Sequence, residues 1–153
     1  MKVLLDTSTL IAAMLPDHVH HIPAHAWLSH VINGELEFVV SGHSLAEVYS
    51  VLTRLPRTPR ISSSEAWQMV DDNILSYAQT IVLTGNDYIS LMAELSQQSL
   101  GGGLVYDAII ARSAALADVD LLVTLNPNHF QQVWPSGMNR IISPLLVTPP
   151  IKS

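Results

Sequence analysis

The chain has 153 residues, of which 48% are hydrophobic and only 13% are charged, so it is not a disordered chain, and its length fits one domain. Seven Lys and Arg against thirteen Asp and Glu give a formal net charge of −6, which disfavours binding of nucleic acid through a broad basic surface. An acidic chain can still act on nucleic acid if metal ions neutralise a cluster of carboxylates. The absence of cysteine excludes disulfides, thiolate catalysis and Cys-based zinc sites.

The first half of the chain alternates short apolar strands with helices. Val3 to Leu5 is an unbroken apolar run, as in a strand buried on both faces, and it stops at Asp6. The elements predicted after it are a helix capped by Thr7 to Thr9 that ends before Pro16, a helix over Pro23 to Ile32, a strand over 38–40, a helix from 42 through 52, and a helix that begins at a capping box of Ser62 and Glu65 and runs through 75.

The second half continues the same alternation. It predicts a strand over 80–83, a helix that starts at Asn86 or Asp87, a helix over 106–117, a strand over 120–124 and a strand over 140–142. The pattern indicates an α/β fold: one domain over residues 1–153, with a mostly parallel sheet of about four to five strands and helices on both faces. We expect the proline-containing tail, residues 144–153, to be extended and to pack along the body.

Four polar side chains fall where the strands of such a sheet end. Asp6 ends the first strand, Glu47 lies early in the helix after the second, Asp107 opens the helix before the fourth, and Asn126 follows the fourth. Ligands of parallel sheets bind beyond the carboxyl ends of the strands, so these side chains are expected to meet. Three carboxylates that converge repel one another unless a cation lies between them, and Mg²⁺ or Mn²⁺ prefers oxygen ligands.

Each acid also has a local explanation. Asp6 fits a helix N-cap, Ser44 and Glu47 have capping-box spacing, and Asp107 suits the positive end of a helix dipole. Asp6 and Asp107 nevertheless lie inside apolar runs, where an unpaired charge is costly. The coincidence of all three therefore favours a shared site.

In four segments taken together, the sequence resembles the PIN-domain family, and more narrowly the VapC toxins of type II toxin–antitoxin systems. The segments are Leu4 to Ser8, Ser44 to Val48, Tyr106 to Ala108 and Leu122 to Phe130. The resemblance covers essentially the whole chain, in the family's order and with normal spacing.

The resemblance implies a Mg²⁺- or Mn²⁺-dependent endoribonuclease. By this resemblance Asp6, Glu47 and Asp107 match the metal-holding acids, and Asn126 completes the catalytic set. Ser8 and Thr124 match the polar positions that support the site. Many relatives carry an acid in place of Asn126, and a neutral amide holds a second metal poorly, so the number of metals stays open. The expected products carry 5′-phosphate and 3′-hydroxyl ends.

The resemblance also implies partners and a location. It implies an RNA substrate (a transfer, ribosomal or messenger RNA), a cognate antitoxin whose basic tail occupies the acidic site, and a homodimer. No long apolar segment indicates a membrane span, so a cytoplasmic protein is expected.

Basic residues and histidines add further candidates. Arg54, Arg57 and Arg60 account for three of the seven basic residues and either grip RNA phosphates or lie in a solvated loop. Five histidines crowd one region without a recognised zinc spacing: His18, His20, His21, His25 and His30.

Two other functions stay open. A PIN-like scaffold that binds RNA or protein after losing metal competence would be consistent with Asn126. A metal-dependent phosphatase with an aspartyl nucleophile fits less well, because Ser8 stands where that pattern needs a second aspartate. In addition, the only lysines are Lys2 and Lys152, neither of which is suitably placed.

Overall fold

The computed structural model describes residues 1–151; Lys152 and Ser153 lie outside the described residues. Five parallel strands form one sheet in the order β3-β2-β1-β4-β5. The strands are β1 (Lys2–Leu5), β2 (Glu37–Ser41), β3 (Ala78–Ile81), β4 (Leu121–Val123) and β5 (Ile141–Ile142). The predicted parallel α/β architecture is confirmed.

Helices connect the strands on both sides of the sheet. They are α1 (Thr7–Met14), α2 (His21–Ile32), α3 (Gly42–Arg54), α4 (Ser63–Val70), α5 (Gly85–Gln97), α6 (Leu104–Leu116) and α7 (Pro127–Val133). A π-helical turn, Asp71–Leu75, prolongs α4, and a 3-10 helix, Pro135–Arg140, leads into β5. Neither α7 nor the 3-10 helix was predicted, because a proline and few apolar residues make both segments look like loop.

The sheet has two buried faces because successive side chains of a strand point in opposite directions. Val3 and Leu5 of β1 pack into one core together with apolar residues of α1, α2, α3 and α4. Leu4 points to the other face and packs with Val39, α6 and α7. β1 therefore requires an apolar run without alternation. The residue after Leu5 lies at the edge of the sheet where all the strands end.

β3 begins two residues earlier than predicted. The prediction followed the apolar run that ends at Leu83, but β3 is an edge strand, and its residues pair with β2 from Ala78 onward. Val82, which the prediction placed inside the strand, lies beyond it and is 73% exposed. Backbone pairing with one neighbour, rather than burial, thus sets the limits of this strand.

Two helices begin at capping boxes. The predicted box of Ser62 and Glu65 is confirmed at the start of α4. Thr84 and Asp87 form a second box, so α5 begins at Gly85 rather than at Asn86 or Asp87. In both boxes the hydroxyl and the carboxylate satisfy backbone N–H groups that the first helical turn leaves free.

The tail packs along the body, although its start is not extended. A turn follows Ser143, with Leu146 N–H donating to the Ser143 carbonyl at 3.1 Å. The buried Trp27 of α2 then donates its indole N–H to the Val147 carbonyl at 3.1 Å, and Pro149 is buried. None of the helices within residues 1–151 has both the length and the apolar character that crossing a membrane requires.

Candidate active site

The carboxyl ends of the strands open into an acidic cleft of about 500 Å³. Asp6 follows β1, Glu47 lies in the second turn of α3 after β2, and Asp107 projects from the start of α6. The lining residues are Asp6, Thr7, Ser8, Ile11, His18, His20, Glu47, Val51, Asp107, Ile110, Leu125 and Asn126. The lining contains three carboxylates and no lysine or arginine.

Asp6 is the most buried carboxylate of the cleft, with 3% of its surface exposed. It caps α1 by accepting the Thr9 N–H at 2.9 Å, and the Thr124 hydroxyl donates to Oδ2 at 2.7 Å. The Ser8 hydroxyl lies 2.9 Å from both carboxylate oxygens. Burial raises the pKa of Asp6, and the hydrogen bonds from Thr124, Thr9 and Ser8 oppose that rise. Asp6 is thus both the helix cap that the local explanation predicted and a member of the acidic cluster.

Ser8 and Thr124 join Asp6 to the segment that follows β4. Ser8 Oγ accepts the Leu125 N–H at 3.1 Å, while Thr124 Oγ1 accepts the Asn126 N–H at 2.9 Å. Each hydroxyl therefore bonds to Asp6 and to the backbone beside Asn126. The segments after β1 and β4 are held together around the carboxylate.

Glu47 is positioned by α1 and by its own helix. The Thr7 hydroxyl donates to Glu47 Oε1 at 2.8 Å, and His43 Nε2 lies 3.2 Å from the same oxygen. The capping-box explanation for Glu47 is wrong, because Ser41 is the N-cap of α3, which places Ser44 and Glu47 inside the helix. Glu47 is therefore free of a capping role and faces the cleft.

Asp107 shares its environment with the other two acids. Partial burial raises its pKa, and the negative charges of Asp6 and Glu47 raise it further, while His129 lowers it. His129 Nδ1 lies 3.5 Å from Asp107 Oδ2. The three carboxylates are close enough to repel one another, as expected of a site that a cation neutralises.

The donor chemistry of the cleft fits a hard divalent cation. Asp6 and Asp107 offer carboxylate oxygens, and their mutual repulsion is the kind a cation relieves. Among residues 1–151, no three Asp, Glu or His side chains come close enough to form a complete ligand set. This arrangement fits Mg²⁺, which commonly binds one or two carboxylates and keeps several water molecules. Asn126 lines the cleft and is exposed, so its amide is available to a ligand.

The three arginines singled out in the sequence lie in different places. Arg54 lines a second cavity that shares Glu47 and Val51 with the acidic cleft. Arg57 lies 3.8 Å from Asp17, and Arg57 and Arg60 line a separate cavity near α4. Of the three, only Arg54 lines a cavity that also contains an acid of the cleft.

The histidines do not form one cluster. His18 and His20 line the acidic cleft, the rings of His21 and His25 lie 5.0 Å apart on α2, and His30 Nδ1 contacts Glu35 at 2.6 Å. The histidines that contact the acids are two others, His43 and His129, to which the sequence analysis gave no role.

His43 lies beside Glu47, and His129 lies beside Asp107. The i,i+4 spacing of His43 and Glu47 was a readable signal, since such residues are neighbours on a helix. His129 gave no such signal, because it reaches Asp107 from the unpredicted helix α7.

The burial of Asp107, together with the negative charges of Asp6 and Glu47, predicts a pH-dependent stability difference. Since the pKa of Asp107 in the folded state lies above its ordinary value of 3.8, the folded state disfavours the charged form. The resulting loss in the free energy of unfolding is absent below pH 3.8 and is complete once the pH exceeds the folded-state pKa. Urea unfolding without metal is therefore expected to show Asp107→Asn gaining stability over the unsubstituted protein as the pH rises from about 4 to about 7. A gain that shrinks over this range would contradict a raised pKa of Asp107 in the folded protein.

Comparison with known proteins assigns the chain to a family. The family model described as PIN domain matches residues 3–133. The chain is 36% identical over 111 residues to Ribonuclease VapC27 of Mycobacterium tuberculosis. The aligned residues cover 72% of this chain and 75% of that protein. It is 30% identical over 117 residues to Ribonuclease VapC40 of the same species, covering 76% of this chain and 81% of that protein.

Solved structures share the fold at low sequence identity. VapBC2 from Rickettsia felis, bound to a DNA fragment from its promoter, contains a chain with a TM-score of 0.66 and 20% identity, covering 94% of this chain and 98% of that one. FitAcB from Neisseria gonorrhoeae matches with a TM-score of 0.65 and 15% identity, over 95% of this chain and 99% of that one. The family model, the relatives and the parallel sheet that carries the acidic cleft agree: the chain belongs to the PIN-domain family.

Proposed function

We propose that this protein is the toxin of a toxin–antitoxin pair and that it is an endoribonuclease that uses Mg²⁺ or Mn²⁺ to hydrolyse RNA phosphodiester bonds. The observation that carries the proposal is the convergence of Asp6, Glu47 and Asp107 on one cleft without a lysine or arginine among its lining residues. The relatives VapC27 and VapC40, both named ribonucleases, support it.

Each of the three carboxylates of the cleft receives a role in this proposal. Asp6 and Asp107 hold the cation, which when bound stabilises charge on the phosphate and lowers the pKa of a water molecule. Glu47 orients the attacking water and takes its proton at Oε2, since Oε1 is engaged by Thr7 and His43.

Three polar residues complete the machinery. Ser8 and Thr124 fix the Asp6 carboxylate through their hydroxyls. The exposed amide of Asn126 orients the phosphate. These positioning roles need no histidine or lysine nucleophile.

Metal binding is expected to stabilise the folded protein. A ligand present at 100 times its dissociation constant raises the free energy of unfolding by about 2.7 kcal/mol. Thermal unfolding with increasing Mn²⁺ or Mg²⁺ should show a rising Tm for the unsubstituted chain and a much smaller rise for Asp107→Asn, which loses a carboxylate ligand.

The same titration tests the scaffold alternative. That alternative is favoured by Asn126, whose neutral amide stands where many relatives carry an acid and holds a second metal poorly. A Tm that does not respond to either cation, together with RNA that stays intact, would contradict the metal-dependent enzyme and support the scaffold.

We also propose an antitoxin and a second copy of the chain as partners. The VapBC2 and FitAcB neighbours support the antitoxin, and the net charge of −6 suits a basic partner segment. Large apolar side chains on the surface support buried interfaces: Ile22 is 82% exposed, Ile89 70% and Leu146 87%. Light scattering of the purified chain, alone and with a candidate antitoxin, measures both associations.

A further inference from the structure

A second cavity, of about 430 Å³, adjoins the acidic cleft on the side of α3 and α6. Glu47 and Val51 line both spaces, so the two are adjacent. The mechanism uses Glu47, and His43 only through its contact with Glu47, but it assigns nothing to Arg54 and Tyr106, which also line this cavity. These combine an aromatic surface with a cation beside the proposed cleavage site.

The aromatic surface is a stacked pair. The rings of His43 and Tyr106 lie 5.0 Å apart and are inclined by only 3°. Tyr106 remains 53% exposed although His43 covers part of it, and it directly precedes Asp107 on α6. An exposed ring supported by a second aromatic ring is a suitable surface for a nucleobase, because every base has a π-face.

Arg54 lies on the same face of α3 as Glu47. His43, Glu47, Ser50 and Arg54 are separated by four, three and four residues, so they follow one face of the helix. Arg54 is about 10 Å along the helix axis from Glu47. No ion pair with another residue of 1–151 involves Arg54, whereas Arg57, Arg112 and Arg140 each contact an acid. Arg54 is thus available to a phosphate beyond the one being cleaved.

We propose that this cavity binds one nucleotide of single-stranded RNA next to the scissile phosphate, with its base stacked on Tyr106 and an adjoining phosphate on Arg54. The proposal rests on the proposed function, because it takes the acidic cleft as the cleavage site. Single-stranded RNA is the form whose bases are free to stack on aromatic side chains. The subsite selects unpaired RNA and positions it over the carboxylates.

Equilibrium binding of a fluorescein-labelled RNA octamer of random sequence tests the subsite. Chelator keeps the strand intact during the measurement. Tyr106→Ala is expected to weaken binding about tenfold, while Tyr106→Phe, which keeps the ring, stays within about twofold of the unsubstituted protein. Thermal unfolding checks that both variants fold, as the exposure of Tyr106 leads us to expect.

Arg54 is tested by the salt dependence of the same binding. Each phosphate contact on a single strand contributes about 0.7 to the slope of log affinity against log salt. Arg54→Gln is expected to reduce the slope by about that amount, and Tyr106→Ala to leave it unchanged. Arg60→Gln is the matched control, since Arg60 carries the same charge and lines a different cavity.

The outcomes separate the subsite from the enzyme. If the unsubstituted protein cleaves RNA but Tyr106→Ala binds the octamer with unchanged affinity, the subsite is wrong and the enzyme stands. Equal losses of slope in Arg54→Gln and Arg60→Gln would overturn the assignment of the phosphate to Arg54. A protein that binds the octamer as expected but cleaves no RNA under any metal condition contradicts the proposed function alone.

Discussion

Asp107→Asn is expected to reduce RNA cleavage by at least about 100-fold while leaving the fold intact. The substitution keeps the shape of the side chain but removes a proposed metal-binding charge. Loss of an outer-shell partner of a metal ligand already costs about 10–100-fold, and loss of the ligand itself is expected to cost more. Total cellular RNA is incubated with purified protein in Mg²⁺, in Mn²⁺ and in chelator, and the fragments are sequenced. Discrete fragments that require both metal and Asp107 are the expected result.

Asp118→Asn is the matched control for this experiment. Asp118 lies beyond the end of α6 and is 84% exposed, and its φ of 48° is one that asparagine tolerates. Its contact with Arg140 is at the surface, where such pairs contribute little. Asp118→Asn should therefore cleave at the full rate. Identical fragment patterns from the unsubstituted protein and Asp107→Asn would contradict the assignment of Asp107.

Thr124→Val is expected to destabilise the protein by about 1–3 kcal/mol and to impair cleavage. Thr124 is fully buried and donates to Asp6 Oδ2 at 2.7 Å, so valine leaves a buried carboxylate without one of its donors and Asn126 N–H without its acceptor. For a chain of this length, that loss lowers the Tm by about 2–12 °C.

Thr124→Ser keeps the hydroxyl and should therefore retain most of the stability and most of the cleavage activity. The comparison with Thr124→Val separates hydrogen bonding from packing. The pH dependence gives a second readout. Because the Thr124 hydroxyl lowers the pKa of Asp6, its removal raises that pKa further. The stability lost in Thr124→Val should therefore be largest at neutral pH and should decrease as the pH falls and Asp6 becomes protonated. A loss that is the same at every pH would show that the Thr124 hydroxyl does not act through the Asp6 carboxylate.

Much of the fold was readable from local sequence because its signals are local. The apolar run of β1, the capping box of α4 and the Val and Leu content of β4 each indicate one kind of element regardless of the rest of the chain. Alternation of strand and helix then implies a parallel sheet, and a parallel sheet brings its carboxyl ends together. This topological rule is why Asp6, Glu47 and Asp107 could be grouped although they lie far apart in sequence.

The tertiary structure alone decided what surrounds each acid. The limits of β3 depend on pairing with β2, and the contact of His129 with Asp107 depends on how α7 packs. The distances from Thr124 to Asp6 and from Thr7 to Glu47 join residues on different elements, so no periodicity encodes them. By itself the sequence determined most of the elements, the parallel sheet and the set of acids, because these follow from local preference and one rule of sheets. Hydrogen bonding, burial and charge around those acids depend on side chains that only the folded chain brings within a few ångströms.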